Sequence, residues 1–481
     1  MLERFTKIST ITGVDNIAAN EHTSYAVKDN QLYAWGALPE GDFGSTTNEP
    51  RIVAAGNFTD KGNMVSVKGS PDVEYHTSLV LDNGKLYVWG HDHRSGNGHS
   101  KGRYRIGQLV HDPNNNAYTP NVVNGVTYVV DEKVPITKEE IDIIDAVQGH
   151  QSGVAVDKTG MLLSWGYNRS ETWGVGSPQK WDYKDAGVAG KGSYAFIKVK
   201  SDEKFKKVDG RYLTRIALGE DGKVYSWGEN AYGSLGRSGD NSLPLPIDRL
   251  TDIKEISMGY ETGLALREDG NIFAWGRNDK GQVGNGSTSN VSSPVNITNN
   301  MTDKFKDIHS GHDSMYAIST DGDIYAWGDN RYGQLGLGDR LNRTSPRKVA
   351  SFPHKVKQVA SGKEHTLVLL ENGDVYVAGN DAHGQLGLGG GKNTIDYTEI
   401  PFPDYVEIET PDNQELELNG TLTVNGNVVS VRDGYNLRLH YDVESANGEV
   451  QGGVIEEFVS TTSKKPFSFD IELDDKYPIG G

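Results

Sequence analysis

The 481-residue chain contains no cysteine. Disulfides, thiolate metal sites, iron–sulfur clusters and cysteine nucleophiles are therefore excluded. It has no apolar run approaching the roughly 20 residues of a membrane-crossing helix, so no membrane insertion is expected. The opening Met1-Leu2-Glu3-Arg4 lacks the apolar core of an export signal. Helix-period segments are scarce. The best is Ile136–Ile144, where Thr137-Lys138-Glu139-Glu140 predicts a turn or two of helix. Positive charge is in deficit, with 48 Lys and Arg against 66 Asp and Glu and a net charge of -18. The broad basic field needed for duplex contact is missing, and no nucleic-acid partner is expected. Hydrophobic residues make up only 35%, which suits many short two-faced strands better than a thick helical core.

What is abundant is glycine, with 59 residues, and it recurs at fixed places in a repeated segment. The fullest copy is GHDSMYAISTDGDIYAWGDNRYGQLGLG, from Gly311 to Gly338. Trp-Gly pairs begin at Trp35, Trp89, Trp165, Trp227, Trp275 and Trp327, and a seventh copy has Ala378-Gly379 in their place. The spacing is about 50 residues, which signals a repeat architecture. Within a copy, Met315–Ser319 and Asp323–Trp327 read as strands joined at Asp321-Gly322, a hairpin signal. The first copy has Asp29-Asn30 at that turn. A weaker strand precedes each hairpin, as at Asp252–Ile256, Phe305–Ile308 and Val356–Val359. A fourth, such as Pro346–Val349, lies further upstream. Four short strands per unit, repeated radially seven times, predict an all-β, seven-bladed β-propeller over residues 1–402.

Large aromatics locked to one repeat position are expected to fill the wedge between neighbouring sheets. His22, His76, His150, His312 and His365 read as occupants of one repeat slot, where other copies have Arg211 and Tyr260. Because Arg is not a metal ligand, the slot predicts a structural role, with a ring nitrogen bonding a neighbouring blade.

The unit resembles the repeat of the regulator of chromosome condensation family. The pattern stands here as Gly311-His312, Asp321-Gly322, Trp327-Gly328, Asn330 and Gly333-Gln334-Leu335-Gly336. It returns in Gly384-Gln385-Leu386-Gly387 and Gly281-Gln282-Val283-Gly284, with remnants in Gly41-Asp42-Phe43-Gly44 and Trp173-Gly174-Val175-Gly176. The resemblance implies seven blades. It also brings a wide choice of functions, from nucleotide exchange on a small GTPase to inhibition of an enzyme by one propeller face, so the fold does not choose among them.

Two spacings are wide. The interval between Trp89 and Trp165 includes Val122–Val130, which predicts a protruding hairpin at Asn124-Gly125. The interval before Trp227 carries Trp181, Tyr183, Tyr194 and Phe196. Insertions of this kind commonly carry recognition, although lengthening a loop costs little. His91-Asp92-His93 offers two ligands on one side of a strand but names no third, so no metal site is assigned. Gly389–Thr394 lacks phosphate-loop spacing, and no cofactor is expected. No nucleophile elbow, zinc motif or paired catalytic acids are found, so no catalytic residue is assigned and no enzyme is expected.

After Pro403 the Trp-Gly grammar stops. Residues 403–481 hold sixteen Asp or Glu against five Lys or Arg. Glu415–Gly420, Asn436–Val443 and Phe467–Leu473 alternate as strands, and Thr421–Val429 predicts a hairpin at Asn425-Gly426. Together they suggest a small immunoglobulin-like β-sandwich, truncated at its end. The leading expectation is a non-catalytic protein-binding or scaffold module from a larger bacterial surface or secreted protein. It would act as a monomer and present one propeller face and its insertions to a protein, or else a glycan. The alternatives are an exchange-factor-like regulator of a small GTPase and a purely structural spacer, and the alternative location is the cytoplasm.

Overall fold

The computed structural model describes residues 2–38, 47–52, 62–69, 77–84, 86–90, 105–106, 127–128, 135–136, 142–149, 152–166, 170, 172, 174–176, 193–389, 405–409, 421–429, 436–444, 450–459 and 465–472. Two compact units emerge, one of residues 1–299 and 303–389, the other of 300–302 and 390–481. The boundary expected at 402 lies outside the described residues.

In the first unit the chain builds one antiparallel sheet after another, and strands lie side by side in chain order. A typical sheet is Ile253–Met258, Thr262–Arg267, Ile272–Gly276 and Val291–Asn296. The leading strands of the sheets are Asn16–Ala19, Met64–Gly69, Ile143–Gln148, Phe205–Asp209, Ile253–Met258, Phe305–Ser310 and Val356–Ser361. They neighbour one another in that order, and the last returns beside the first. This is an all-β propeller, with the leading strands around a central channel.

The hairpin turns differ from the expected two-residue type. Gly322 N–H donates to Ser319 O at 3.0 Å and Ser319 N–H to Asp323 O at 2.8 Å. That leaves a three-residue loop closed by Gly322 at φ +90, a left-handed position that favours glycine. The first copy has the tight turn instead. Lys28 pairs with Gln31 across Asp29 and Asn30, at φ 51 and 56.

The outer strand also belongs elsewhere than expected. Arg343–Lys348 pairs with Ile324–Gly328 of the preceding hairpin, not with the sheet that follows. In consequence, the last hairpin, His365–Leu370 and Val375–Gly379, has no outer strand after it in sequence. The strand Leu2–Lys7 takes the place, with Thr6 opposite Val377 and Leu2 opposite Gly379. The ends of the predicted helix are strands, Pro135–Ile136 and Ile143–Gln148; the residues between lie outside those described. Thr127–Tyr128 pairs with Pro135–Ile136 and, in parallel, with Ile197; the turn expected at Asn124-Gly125 lies outside the described residues.

Tryptophans seal the joints. Trp35, Trp227, Trp275 and Trp327 are fully buried. Each indole N–H donates to a carbonyl in the glycine-rich tail of the preceding sheet: Gln385, Thr172, Ser234 and Gln282, at 2.9 to 3.0 Å. The tail's last glycine lies flat on the ring; a Cβ on Gly236 would stand 2.9 Å from Trp275. At the joint where the repeat has Ala378, Gly336 packs instead against the ring of Phe5. The Trp89 and Trp165 side chains lie outside the described residues.

Around the channel, side chains of leading strands accept backbone N–H groups from the next sheet. Asp145 accepts from Val208, Asp209 from Met258, Ser257 from Ser310, His309 from Ser361 and Gln358 from Ile17, at 2.9 to 3.1 Å. Five side chains of four chemical types make the same connection.

In the second unit, Thr421–Val429 is one nine-residue strand between Tyr405–Glu409 and Lys465–Glu472. The hairpin expected at Asn425-Gly426 is absent. Both residues are paired on each side, and neighbours on two edges outweigh the local turn preference. Asn436–Glu444 pairs with Val450–Val459. Glu415–Gly420 lies outside the described residues.

Candidate functional site

The loops between first and second strands gather at one end of the sheets with the glycine-rich tails. Gln282, in one tail, reaches Asp313 in the next sheet's loop at 3.2 Å. On this rim Tyr212 packs on Tyr260 at 4.8 Å between ring centroids, and Tyr260 stacks on His312 at 4.7 Å and 5°. The Arg277 guanidinium stands 5.5 Å from the Tyr260 ring and 5.7 Å from Tyr232, within cation–π reach. Tyr232 is 54% exposed. Further round, Arg331 lies 6.0 Å from the Tyr332 ring, and His22 meets His383 at 4.6 Å beside the Lys363–Glu21 ion pair.

Backbone strain concentrates here. Tyr212, Tyr232 and Glu261 hold φ of 45, 58 and 62. A bulky residue in the left-handed region costs about 1–3 kcal/mol and persists where its surroundings demand it. The charges are locked in step. Arg277 pairs with Asp279 at 2.8 Å and with Asp313 at 3.5 Å, and His312 lies 3.1 Å from Asp313. Burial opposes ionisation of Asp313, but His312, Arg277 and Arg331 outweigh it and hold the carboxyl below its usual range. Burial likewise lowers the His22 pKa against the pull of Glu21. The rim is thus a preset surface of aromatic faces and neutralised charge. Among the described residues no group of three or more His, Asp or Glu could hold a metal.

The register separates histidines that look equivalent in sequence. His365 faces Gly379 across its hairpin, as Thr23, Thr262 and Ser314 face the corresponding glycines. His22 and His312 lie in the loops before those positions, one and two residues earlier, so the three do not share a slot. Only His365 is at a sheet joint. Ser24 Oγ donates to Gln385 O at 2.7 Å, so His365 Nε2–H donates to Ser24 Oγ at 2.9 Å. His76, His150, His91-Asp92-His93, Trp181 and Tyr183 lie outside the described residues, as do the side chains of Tyr194 and Phe196. The rim arginines and tyrosines were not singled out from sequence. One signal was available: Tyr232 and Tyr332 each precede the tail glycine in matching Asn-x-Tyr-Gly runs.

Sequential four-stranded sheets, sealed by Trp-Gly pairs against glycine-rich tails, agree with what sequence comparison finds. A family model described as RCC1-like domain matches residues 99–431. The chain belongs to the RCC1-like family. The ultraviolet-B receptor UVR8 of Arabidopsis thaliana is 32% identical over 381 residues, covering 77% of this chain and 78% of that one. The ubiquitin ligase HERC2 of Homo sapiens is 26% identical over 371 residues, 73% of this chain but 7% of its own length. Among solved structures, yeast RCC1 (Prp20) bound to Kap60 superposes with a TM-score of 0.58 at 18% identity, covering 77% of this chain and 82% of that one. Human WBSCR16 gives 0.57 at 16% identity, over 78% and 88%. At such identities the structural likeness concerns the fold alone.

Proposed function

We propose that this RCC1-like propeller is a non-catalytic module that binds a protein through the Tyr212–Tyr260–His312 rim. The observation that supports the reading is the half-buried Tyr212–Tyr260–His312 stack, with Arg277 set between Tyr260 and the exposed Tyr232 and three rim residues at positive φ. Aromatic and Arg side chains dominate the energetics of protein interfaces, and a rim ordered before binding loses little entropy on contact. We read the ring of sheets as seven blades and the strands after 404 as an immunoglobulin-like sandwich. On this reading the chain works as a monomer, without cofactor or nucleic acid, as part of a bacterial surface or secreted protein. Fractionation of the producing cells tests the location; recovery in the cytosol alone would reject it.

The test of the site is binding by Tyr260→Ala and Arg277→Ala variants, each compared with the parent for affinity to a partner recovered from the producer. Each change is expected to weaken binding at least tenfold, about 1.4 kcal/mol, with the thermal midpoint held within a few degrees. Unchanged affinity in both variants would move the site off this rim.

A further inference from the structure

The propeller's central channel forms a cavity of about 410 Å³, lined by the leading strands of all the sheets. Its wall is not uniform. Asn16, Ala18, Gln358 and Ala360 make one side neutral, and His309, whose ring accepts the Ser361 N–H, is neutral too, while Lys68, Asp145, Lys207, Asp209, Arg211, Glu255 and Asp307 carry charge. Most of these charges are matched. Lys68 pairs with Asp145 at 2.6 Å, Lys207 pairs with Glu255, and Asp209 accepts the Met258 N–H.

Two groups of opposite character are left with capacity to spare. Arg211 is 4% exposed and gives one guanidinium N–H to Gly69 O, but its buried Nε has no hydrogen-bond partner among the described residues. Arg211 forms a loose ion pair with Asp209, Nε to Oδ1 at 3.7 Å, which is beyond hydrogen-bond length. Asp307 accepts one hydrogen bond, from Ile308 N–H at 2.9 Å, and no other among the described residues. Burial, and then the neighbouring Glu255, push the Asp307 carboxyl up to about 6, and Lys207 does not offset them. A buried guanidinium N–H without an acceptor costs about 1–3 kcal/mol, so each group calls for a partner, one an anion or acceptor and the other a cation.

We propose that the central channel binds a small zwitterion of the amino-acid class, with its carboxylate on Arg211 and its ammonium on Asp307. The volume admits one such molecule beside water. The fixed ion pairs on the wall keep ions of a single sign from gaining much there, because either end alone leaves the opposite group unmet. A molecule carrying both charges meets both at once. The rim and the channel lie on different residues, so this inference stands whether or not the rim binds protein.

Three probes of increasing length, glycine, β-alanine and 4-aminobutanoate, are titrated calorimetrically into the full chain at pH 7. Acetate and methylammonium serve as the two separate ends. At least one zwitterion is expected to bind tenfold or more tightly than either end alone. Asp307→Asn keeps the side chain's shape and should bring that zwitterion to within twofold of acetate. Arg211→Lys keeps a charge but loses Nε, and should weaken the zwitterion and acetate alike. If no zwitterion exceeds both single-charge probes, or if Asp307→Asn leaves the preference unchanged, the proposal fails. A folding defect in the Arg211 variant leaves the Asp307 arm decisive.

Discussion

Phe5 stands where the repeat would put its seventh tryptophan. Its ring covers Gly336 as Trp275 covers Gly236, and it comes from a strand more than 370 residues away from the Ala378 that left the gap. Phe5→Ala should lower unfolding free energy by about 2 kcal/mol, below the usual range for a fully buried Phe because this ring is half-buried; urea denaturation measures it. Trp275→Phe keeps most of the packing but leaves Ser234 O without its donor, an expected loss of about 1–2 kcal/mol by the same measurement. His365 gives a pH effect. Burial, then His22, push its pKa from 6.5 down to about 3. Below about pH 6.5 the unfolded chain takes a proton that the folded molecule refuses. The stability that the neutral ring supplies is therefore complete above pH 6.5 and lost as pH falls towards 3, at up to about 1.4 kcal/mol per pH unit. His365→Gln should flatten the decline between pH 6.5 and 4, read as a smaller shift of the urea midpoint than in the parent.

At the level of elements, the strand Leu2–Lys7 gives the last sheet its outer edge. Removing residues 2–7 would take away both that strand and Phe5, exposing the edge of Val375–Gly379. A drop of about 5 °C or more in the thermal midpoint is expected of a domain of this size losing about 4 kcal/mol or more, measured by calorimetry. The same strand shows what sequence could and could not reveal. The Trp-Gly pairs, the glycine tails and the hairpins were legible because each demands a particular residue: a large ring, a missing Cβ, a left-handed turn. Leu2–Lys7 was not legible, because its partner lies at the far end of the repeats and no local pattern marks it. The bonds around the channel were hidden for another reason. Asp145, Ser257, His309 and Gln358 make equivalent connections with different chemistry, so no motif records them. Asn425-Gly426 misled because a turn signal is local, whereas a strand with neighbours on both edges is held by long-range pairing. The aromatic rim was half visible: Tyr260 was noticed only as a substitute for histidine, and the contacts that give it meaning come from other sheets.

Across the propeller, the rim proposed for recognition and the joints that support the fold use different residues. Trp35, Trp227, Trp275, Trp327 and His365 lie buried at joints and Phe5 half-buried at another, while on the rim Tyr232 is exposed and Tyr260 and Arg277 are half-buried. The long interval after Trp89 tests this division. Arg105–Ile106 completes the second sheet and Thr127–Tyr128 extends the third, so a short Gly-Ser linker in place of residues 107–126 spares both. Cooperative unfolding should survive that replacement, with a midpoint within about 5 °C of the parent. Collapse of the transition would show that the insertion holds the ring together. The outer strand contributed from the far end also has a kinetic meaning. During synthesis, the segment 2–7 leaves the ribosome before any sheet of this propeller exists and pairs with a hairpin made hundreds of residues later. For the whole of that interval a pairing-competent strand waits without its partner while each intermediate sheet folds on its predecessor. The last event in closing the ring is then not the folding of its last sheet but the return of the strand 2–7, and a chaperone or a competing strand would act on the molecule at that step.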